Sequence, residues 1–355
     1  MQPSQASFKS EDIALPDAIT LDISGNNITP AKGFKIESLF KHLGHSKDQP
    51  IPSQSSDVTA FMSFFSHWIS HKFQEVMIEG IEHISTDRHH IFISNHRDIL
   101  LDPALVNHAL LSCGYDAARS VIGSNLMEEE TMASLMKLAG CMEVPRGNGS
   151  IRQKFNQLKG LSHEIQAALQ HNNVWIAQRE GRTKNGIDET NPAIFKMIAM
   201  AKPNQMSSEL FFKTQSIIPV SISYQWDPSD THKALDNLAS DLGEQNLNTR
   251  IRSDTILHLI NSLDRCEGKI KLCFGAPLKA SSDINGMVQQ LDLHIKEHYC
   301  LFDSHKVAYN LTQHKMIPHD LAPIKEKLLT RSASLPLAAQ NHLIQSYANS
   351  YTSCS

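Results

Sequence analysis

Ile91 to Leu105 reads IFISNHRDILLDPAL, and the way this stretch changes character sets the reading of the whole chain. The apolar run Ile91-Phe92-Ile93 breaks into the polar Ser94-Asn95-His96-Arg97-Asp98, and Asp102-Pro103 then opens a helix. Asp is a favoured helix cap, and Pro is tolerated at the first helical position, where no N–H is needed. Strand, turn and helix in succession lift a turn residue out of the packed layers. Here that residue is His96, with Asp98 and Asp102 following it. Imidazole titrates near neutral pH, and a carboxylate on its second nitrogen fixes the tautomer and stabilises the imidazolium.

Working outward, short apolar runs alternate with helical patterns. Ser120–Gly123, Val174–Ala177, Ile217–Tyr224 and Lys269–Phe274 read as strands. Pro103–Leu111, Glu128–Ala139, Ile151–Leu169, Pro192–Ala201, Asp230–Leu242, Ile251–Leu263 and Met287–His298 read as helices. That alternation predicts an α/β fold with helices on the faces of a central sheet.

Upstream, Val58, Phe61, Met62, Phe65, Trp68, Ile69, Phe73, Val76 and Met77 keep helical spacing, so residues 57–79 are expected as one amphipathic helix. It serves either as a packed helix of the domain or as an interfacial membrane helix. Few Lys or Arg on its polar face weigh against the second use. Residues 1–56, with a short helix at Gly33–Leu43 and a Pro/Ser-rich stretch at Ser46–Asp57, read as a flexible arm and linker. Residues 57–300 form the main domain. Residues 301–355 form a C-terminal helical extension, helical to about Tyr347 and frayed beyond it.

Composition narrows the function. A chain of 355 residues with 41% hydrophobic and 20% charged residues buries a substantial core. The net charge of −4 offers no basic excess for nucleic acid. Six cysteines without a CxxC pair read as reduced thiols. The start, MQPSQASFKSEDIALP, lacks the basic and apolar regions of a signal peptide. No window approaches about 18 apolar residues, so any membrane contact is expected to be peripheral. His89, His90, His96, Asp98 and Asp102 crowd one region, but His89 and His90 point to opposite sides of a strand, which disfavours joint metal ligation.

Three further stretches carry chemistry. Arg146 in Val144-Pro145-Arg146-Gly147 presents a planar fork suited to phosphate from a constrained loop. Arg179-Glu180-Gly181-Arg182-Thr183 follows a strand directly; Gly181 permits close backbone approach, and Arg182 could pair with phosphate. Pro219 interrupts the β run Ile217–Tyr224, which is unusual away from a sheet edge or bulge.

With His96, these stretches resemble, in order, the four sequence blocks of the glycerolipid acyltransferases, which acylate glycerol 3-phosphate or lysophosphatidate. The likeness spans about residues 80–280. It departs from the family twice. The family's Asp follows Asn-His after four residues, where this chain has Leu101, and Asp102 comes one residue late. The third block has Arg179 where the family usually has Pro.

The resemblance implies a mixed central sheet flanked by helices and transfer of a fatty acyl group from acyl-CoA or acyl carrier protein to a glycerol phosphate hydroxyl in phospholipid biosynthesis. His96 is the expected general base, and Asp102 the expected carboxylate, with Asp98 as the alternative. Asn95, Arg97, Arg146, Glu180, Gly181, Arg182 and Pro219 are the expected substrate contacts. The thioester arrives activated, so no cofactor or metal is implied, and no Gly-x-Ser-x-Gly nucleophile elbow is present. The implied location is the cytoplasm, at the inner face of the membrane. Two other readings use the same residues: an acyl-thioester hydrolase, and a non-catalytic scaffold that binds lipid or a partner.

Overall fold

The computed structural model describes residues 58–127, 130–145, 149–243 and 255–354. The arm and linker of residues 1–56, the starts of the helices expected at Glu128 and Ile251, and Arg146 lie outside them.

The first half of the chain runs α1 (Val58–Lys72), β1 (Glu75–Glu79), β2 (Ile91–Ser94), α2 (Leu101–Ser112), β3 (Ala118–Gly123), α3 (Glu130–Leu138), β4 (Met142–Val144), α4 (Ile151–Ala168) and β5 (Asn173–Ala177). There follow α5 (Ala193–Ile198), α6 (Ser208–Thr214), β6 (Ile217–Tyr224), α7 (Asp230–Asp241), α8 (Thr255–Asp264) and β7 (Lys269–Phe274). Four helices end it: α9 (Ile284–His298), α10 (Asp303–Thr312), α11 (Ala322–Ser332) and α12 (Leu337–Cys354).

The strands form one mixed sheet in the order β1-β7-β6-β2-β5-β3-β4. β6, β2, β5, β3 and β4 are mutually parallel. β7 runs antiparallel to β6 and carries β1 parallel to itself. Strands buried on both faces need apolar residues at every position, which is why their sequences read as continuous runs. Phe92, Trp175, Ile218, Val220 and Ile222 face a cluster with Phe61, Phe65, Leu105 and Met132 of α1–α3. Ile91, Ile93, Val174, Ile176 and Ile217 face Leu161, Ile165, Phe195, Phe212 and Leu291 on the other side.

Four expectations need correction. The helix expected over residues 57–79 ends at Lys72, and residues 75–79 are strand β1. Phe73, Val76 and Met77 fit helical spacing, but alternation wins here. Val76 and Ile78 turn toward the core, while Glu75 and Glu79 pair with Lys269 at 3.0 Å and Lys271 at 2.9 Å on β7. The apolar face of α1 is spent on that core: Phe61, Met62, Phe65 and Ile69 are buried.

Pro219 lies in an interior strand, not at an edge. Its carbonyl accepts from the Gly275 N–H (2.8 Å), so its missing N–H also falls on the β7 side, one residue before the first β6–β7 pair, Val220–Phe274. The one donor lost thus falls at the end of the β6–β7 ladder, not within it.

The end of the chain is not frayed. α12 continues to Cys354, with Ser350 buried. Nor does residue 300 mark a break in packing, since Trp226, Leu235 and Leu238 share one apolar cluster with Val307, Leu343 and Tyr347.

Gly186 couples this last helix to the loop after β5. It sits at φ 81, and a Cβ there would meet the Ser346 carbonyl oxygen at 1.8 Å. Substitution Gly186→Ala is therefore strained twice, in the backbone and against α12. It is expected to destabilise the chain by more than about 2 kcal/mol in urea unfolding; an unchanged midpoint would show that this docking does not hold the loop.

Candidate active site

The parallel strands place their carboxyl ends together, and ligands of open α/β sheets bind in the crevice outside those ends. β2 is central, with β6 on one side and β5 on the other. Where β2 stops, side chains take over from the ladder. Asn95 reaches β6 as a strand residue would: its Nδ2 donates to the Ile222 carbonyl (2.9 Å), and its Oδ1 accepts from the Ile222 N–H (2.8 Å). From the β5 side, the Thr183 N–H donates to the His96 carbonyl at 2.7 Å. The histidine backbone is thus clamped between two strands.

Asp102 organises the loop that His96 opens. Its Oδ2 accepts from His96 Nδ1 (2.9 Å), the Arg97 N–H (2.6 Å) and the Asp98 N–H (2.9 Å). Its Oδ1 accepts from the Tyr224 hydroxyl at 2.7 Å. The carboxylate is fully buried, whereas the His96 side chain remains 14% exposed. The helix begins at Leu101 and turns Asp102 back over residues 96–98.

Asp102 is not the helix cap. Asp98 has that task, accepting from the Leu100 and Leu101 N–H groups at 3.0 Å. Its other oxygen takes the Ser229 and Ser262 hydroxyls, which point it away from His96. Burial alone would raise the Asp98 pKa; hydrogen bonds from Ser229, Ser262 and the Leu101 N–H hold it below the usual range instead. Burial first, then the charges of Asp102 and Asp98, push the Tyr224 phenol well above its ordinary value, so it remains a donor.

Asn95 and Arg97, expected as substrate contacts, are turned inward. Asn95 is fully buried and Arg97 is 5% exposed. Arg97 donates through Nε (3.2 Å) and Nη2 (2.6 Å) to Asp188 Oδ2, to the Gly186 carbonyl and to Ser350 Oγ, and lies 5.1 Å from the Tyr299 ring centre. Burial disfavours its charge, but Asp188 outweighs this and raises the pKa. Pro219 is buried within β6.

Glu180 and Gly181 are exposed at the turn after β5, with Gly181 at φ 75, and Arg182 is half-buried. The Arg182 charge reaches across to α7. Burial first and then this charge push the His232 imidazole down to about 4. Lys184 pairs with Asp236 of α7 at 2.8 Å.

Sequence reasoning missed Tyr224, Asp188, Ser350 and His232. Tyr224 had one signal: it ends the strand on the same alternate face as Ile218, Val220 and Ile222. The others lie far along the chain, with no local pattern to mark them.

Comparison with known proteins places the chain beside a protein family and a solved structure. The model of the Acyltransferase family matches residues 75–223, a span that holds His96, Asp102 and Arg182 and stops one residue short of Tyr224. That segment is similar to the acyltransferases over a little under half of the chain. The crystal structure of the 1-acyl-sn-glycerophosphate (LPA) acyltransferase PlsC from Thermotoga maritima is similar over 74% of this chain and 89% of that one, at 14% identity and TM-score 0.34. No curated protein matches.

At this site, Asp102→Asn leaves one acceptor oxygen for four donors. A buried donor left unpaired costs about 1–3 kcal/mol. The substitution is expected to lower unfolding stability by that amount, while His96→Ala, removing a partly exposed ring, stays within about 1 kcal/mol of wild type. Equal midpoints for Asp102→Asn and wild type in urea would refute the organising role given to Asp102.

Proposed function

We propose that this protein is an O-acyltransferase that moves a fatty acyl group from acyl-CoA or acyl carrier protein to a hydroxyl of glycerol 3-phosphate or lysophosphatidate. The observation that carries this reading is the His96–Asp102 pair, set beyond the carboxyl end of β2 inside the family's matched segment. With Nδ1 bound to Asp102, the Nε2 lone pair takes the acceptor's hydroxyl proton as the oxygen attacks the thioester carbonyl. The C–S bond then breaks, and the departing thiolate takes that proton from the imidazolium. Asp102 stabilises the imidazolium, and Tyr224 holds Asp102 in place. No covalent intermediate on the protein is needed.

Arg182, next to Thr183 on the turn that clamps His96, would hold the acceptor phosphate together with Arg146, which lies outside the described residues. Glu180 and Gly181 form the turn that presents Arg182. Asn95 and Arg97 serve as frame. An open groove of about 840 Å³ lies at the opposite end of the strands, around His90, Asn173 and Ser216. It is on the wrong side of the sheet for this chemistry.

The test is free-thiol release from palmitoyl-CoA and palmitoyl-acyl carrier protein, with and without glycerol 3-phosphate or lysophosphatidate. Release that requires an acceptor and falls at least about 100-fold in His96→Ala is expected. Acceptor-independent release would replace the transferase by a hydrolase, and acceptor binding without turnover would replace it by a binding scaffold.

No helix among the described residues is long and apolar enough to cross a membrane. For peripheral contact, the first turns of α4 are better suited than α1. α4 starts at the same end of the sheet as His96, with Ile151 89% and Phe155 53% exposed. Arg152, Lys154 and Lys159 flank them, with no acidic residue between 151 and 160. Apolar anchors among basic side chains fit an anionic lipid surface. Ile151→Ser with Phe155→Ser is expected to weaken co-sedimentation with phosphatidylglycerol vesicles by at least about tenfold; wild-type sedimentation by the double variant would remove α4 from the reading.

A further inference from the structure

On the face of the sheet away from Asp102 and Tyr224, β7 meets α9. Cys273 stands opposite Ser221 in the β6–β7 ladder, and Ser221 Oγ donates to the Ile295 carbonyl of α9, so this edge of the ladder looks onto that helix. α9 presents His294 and His298 there, four residues apart and therefore on one helix face. Their rings stack with centroids 4.3 Å apart. The Cys273 sulfur and one ring nitrogen from each histidine all lie within 4.8 Å of one another.

The surroundings match how metal-binding imidazoles are held. Each ring has one nitrogen on a backbone carbonyl: His294 Nε2 on Cys273 (3.0 Å) and His298 Nδ1 on His294 (3.0 Å). Such a bond fixes the tautomer and leaves the second nitrogen with its lone pair. Gly275 makes room for the ring, since a Cβ there would come 2.7 Å from His294 Nδ1. Cys273 is buried, His294 half-buried and His298 exposed, so an ion reaches the thiol from the solvent side.

We propose that Cys273, His294 and His298 form a metal site of the zinc class, a thiolate and two imidazoles with water in the fourth position. Zinc bonds of about 2.0–2.3 Å place ligand atoms roughly 3.3–3.8 Å apart, so the three groups close by about 1 Å, a shift the exposed His298 ring supplies. On binding, the Cys273 S–H bond breaks, its proton goes to solvent, and the thiolate bonds the metal. The site ties α9 to β7 and takes no part in acyl transfer. Soft thiolate with imidazole selects zinc or cobalt over magnesium or calcium.

The chain contains its own control. His67 and His71 on α1 are likewise stacked, at 4.4 Å, with His71 Nδ1 on the His67 carbonyl (2.8 Å), and both are exposed. The experiment titrates full-length protein, stripped with chelator, with Co²⁺ and Zn²⁺. Thiolate-to-cobalt charge-transfer absorbance, zinc per chain after desalting and the thermal midpoint are recorded. One metal per chain, charge-transfer absorbance and a midpoint raised by about 5 °C are expected. His298→Gln, at an exposed position that leaves the fold intact, and Cys273→Ser should lose all three, while His67→Gln/His71→Gln retains them. Absence of thiolate absorbance, or retention equal to wild type in His298→Gln, would overturn the proposal.

Discussion

One buried carboxylate holds the candidate active site together. Asp102 accepts from a ring nitrogen, two backbone N–H groups and a phenol, and these four donors reach it from the loop after β2 and from β6. A buried carboxylate without such partners would take up a proton or force its surroundings open. With them, it fixes residues 96–98 against the first turn of α2. The orientation of His96 is a by-product of satisfying this charge, so loop geometry and proposed chemistry share one cause.

Around that centre the chain builds a second polar layer, equally closed. Asn95 substitutes for a strand residue, Asp98 caps a helix, and Arg97 ties the loop after β5 to the last helix. Its residues satisfy one another, while His96 and the turn carrying Glu180 and Arg182 keep part of their surface exposed. Burial thereby separates residues that could meet a substrate from those that hold the frame, a distinction that composition and motif order do not carry.

Much of this architecture is legible in the sequence. Apolar runs at Ile91, Val174, Ile217 and Lys269 announce strands because strands buried on both faces need apolar residues throughout. Residues 75–79 read as helix because Val76 and Met77 continue the helical spacing of Ile69 and Phe73, and only pairing with β7 makes them a strand. His96 and Asp102 can be paired by a local argument, six residues apart on a turn and a helix. Asp188 and Ser350 cannot, since nothing near them in the chain shows what they will meet, and for Tyr224 strand alternation shows the face but not the partner. Asn95 and Arg97 look like substrate contacts because polar residues next to a turn histidine usually face solvent; here β6 and α12 cover them.

The strand order also bears on how the protein reaches this state. β1 finds its partner only when β7 is in place, and Arg97 meets Ser350 across 253 positions of chain. Contacts between such distant positions form only after large loops have closed, at an entropic cost repaid late. Contacts of this kind slow folding, and the loop of residues 95–98 depends on them for its final surroundings. Local helices and the parallel strands around β2 can condense before His96 has its final surroundings. The surroundings of His96 therefore rest on contacts that are far apart in the chain.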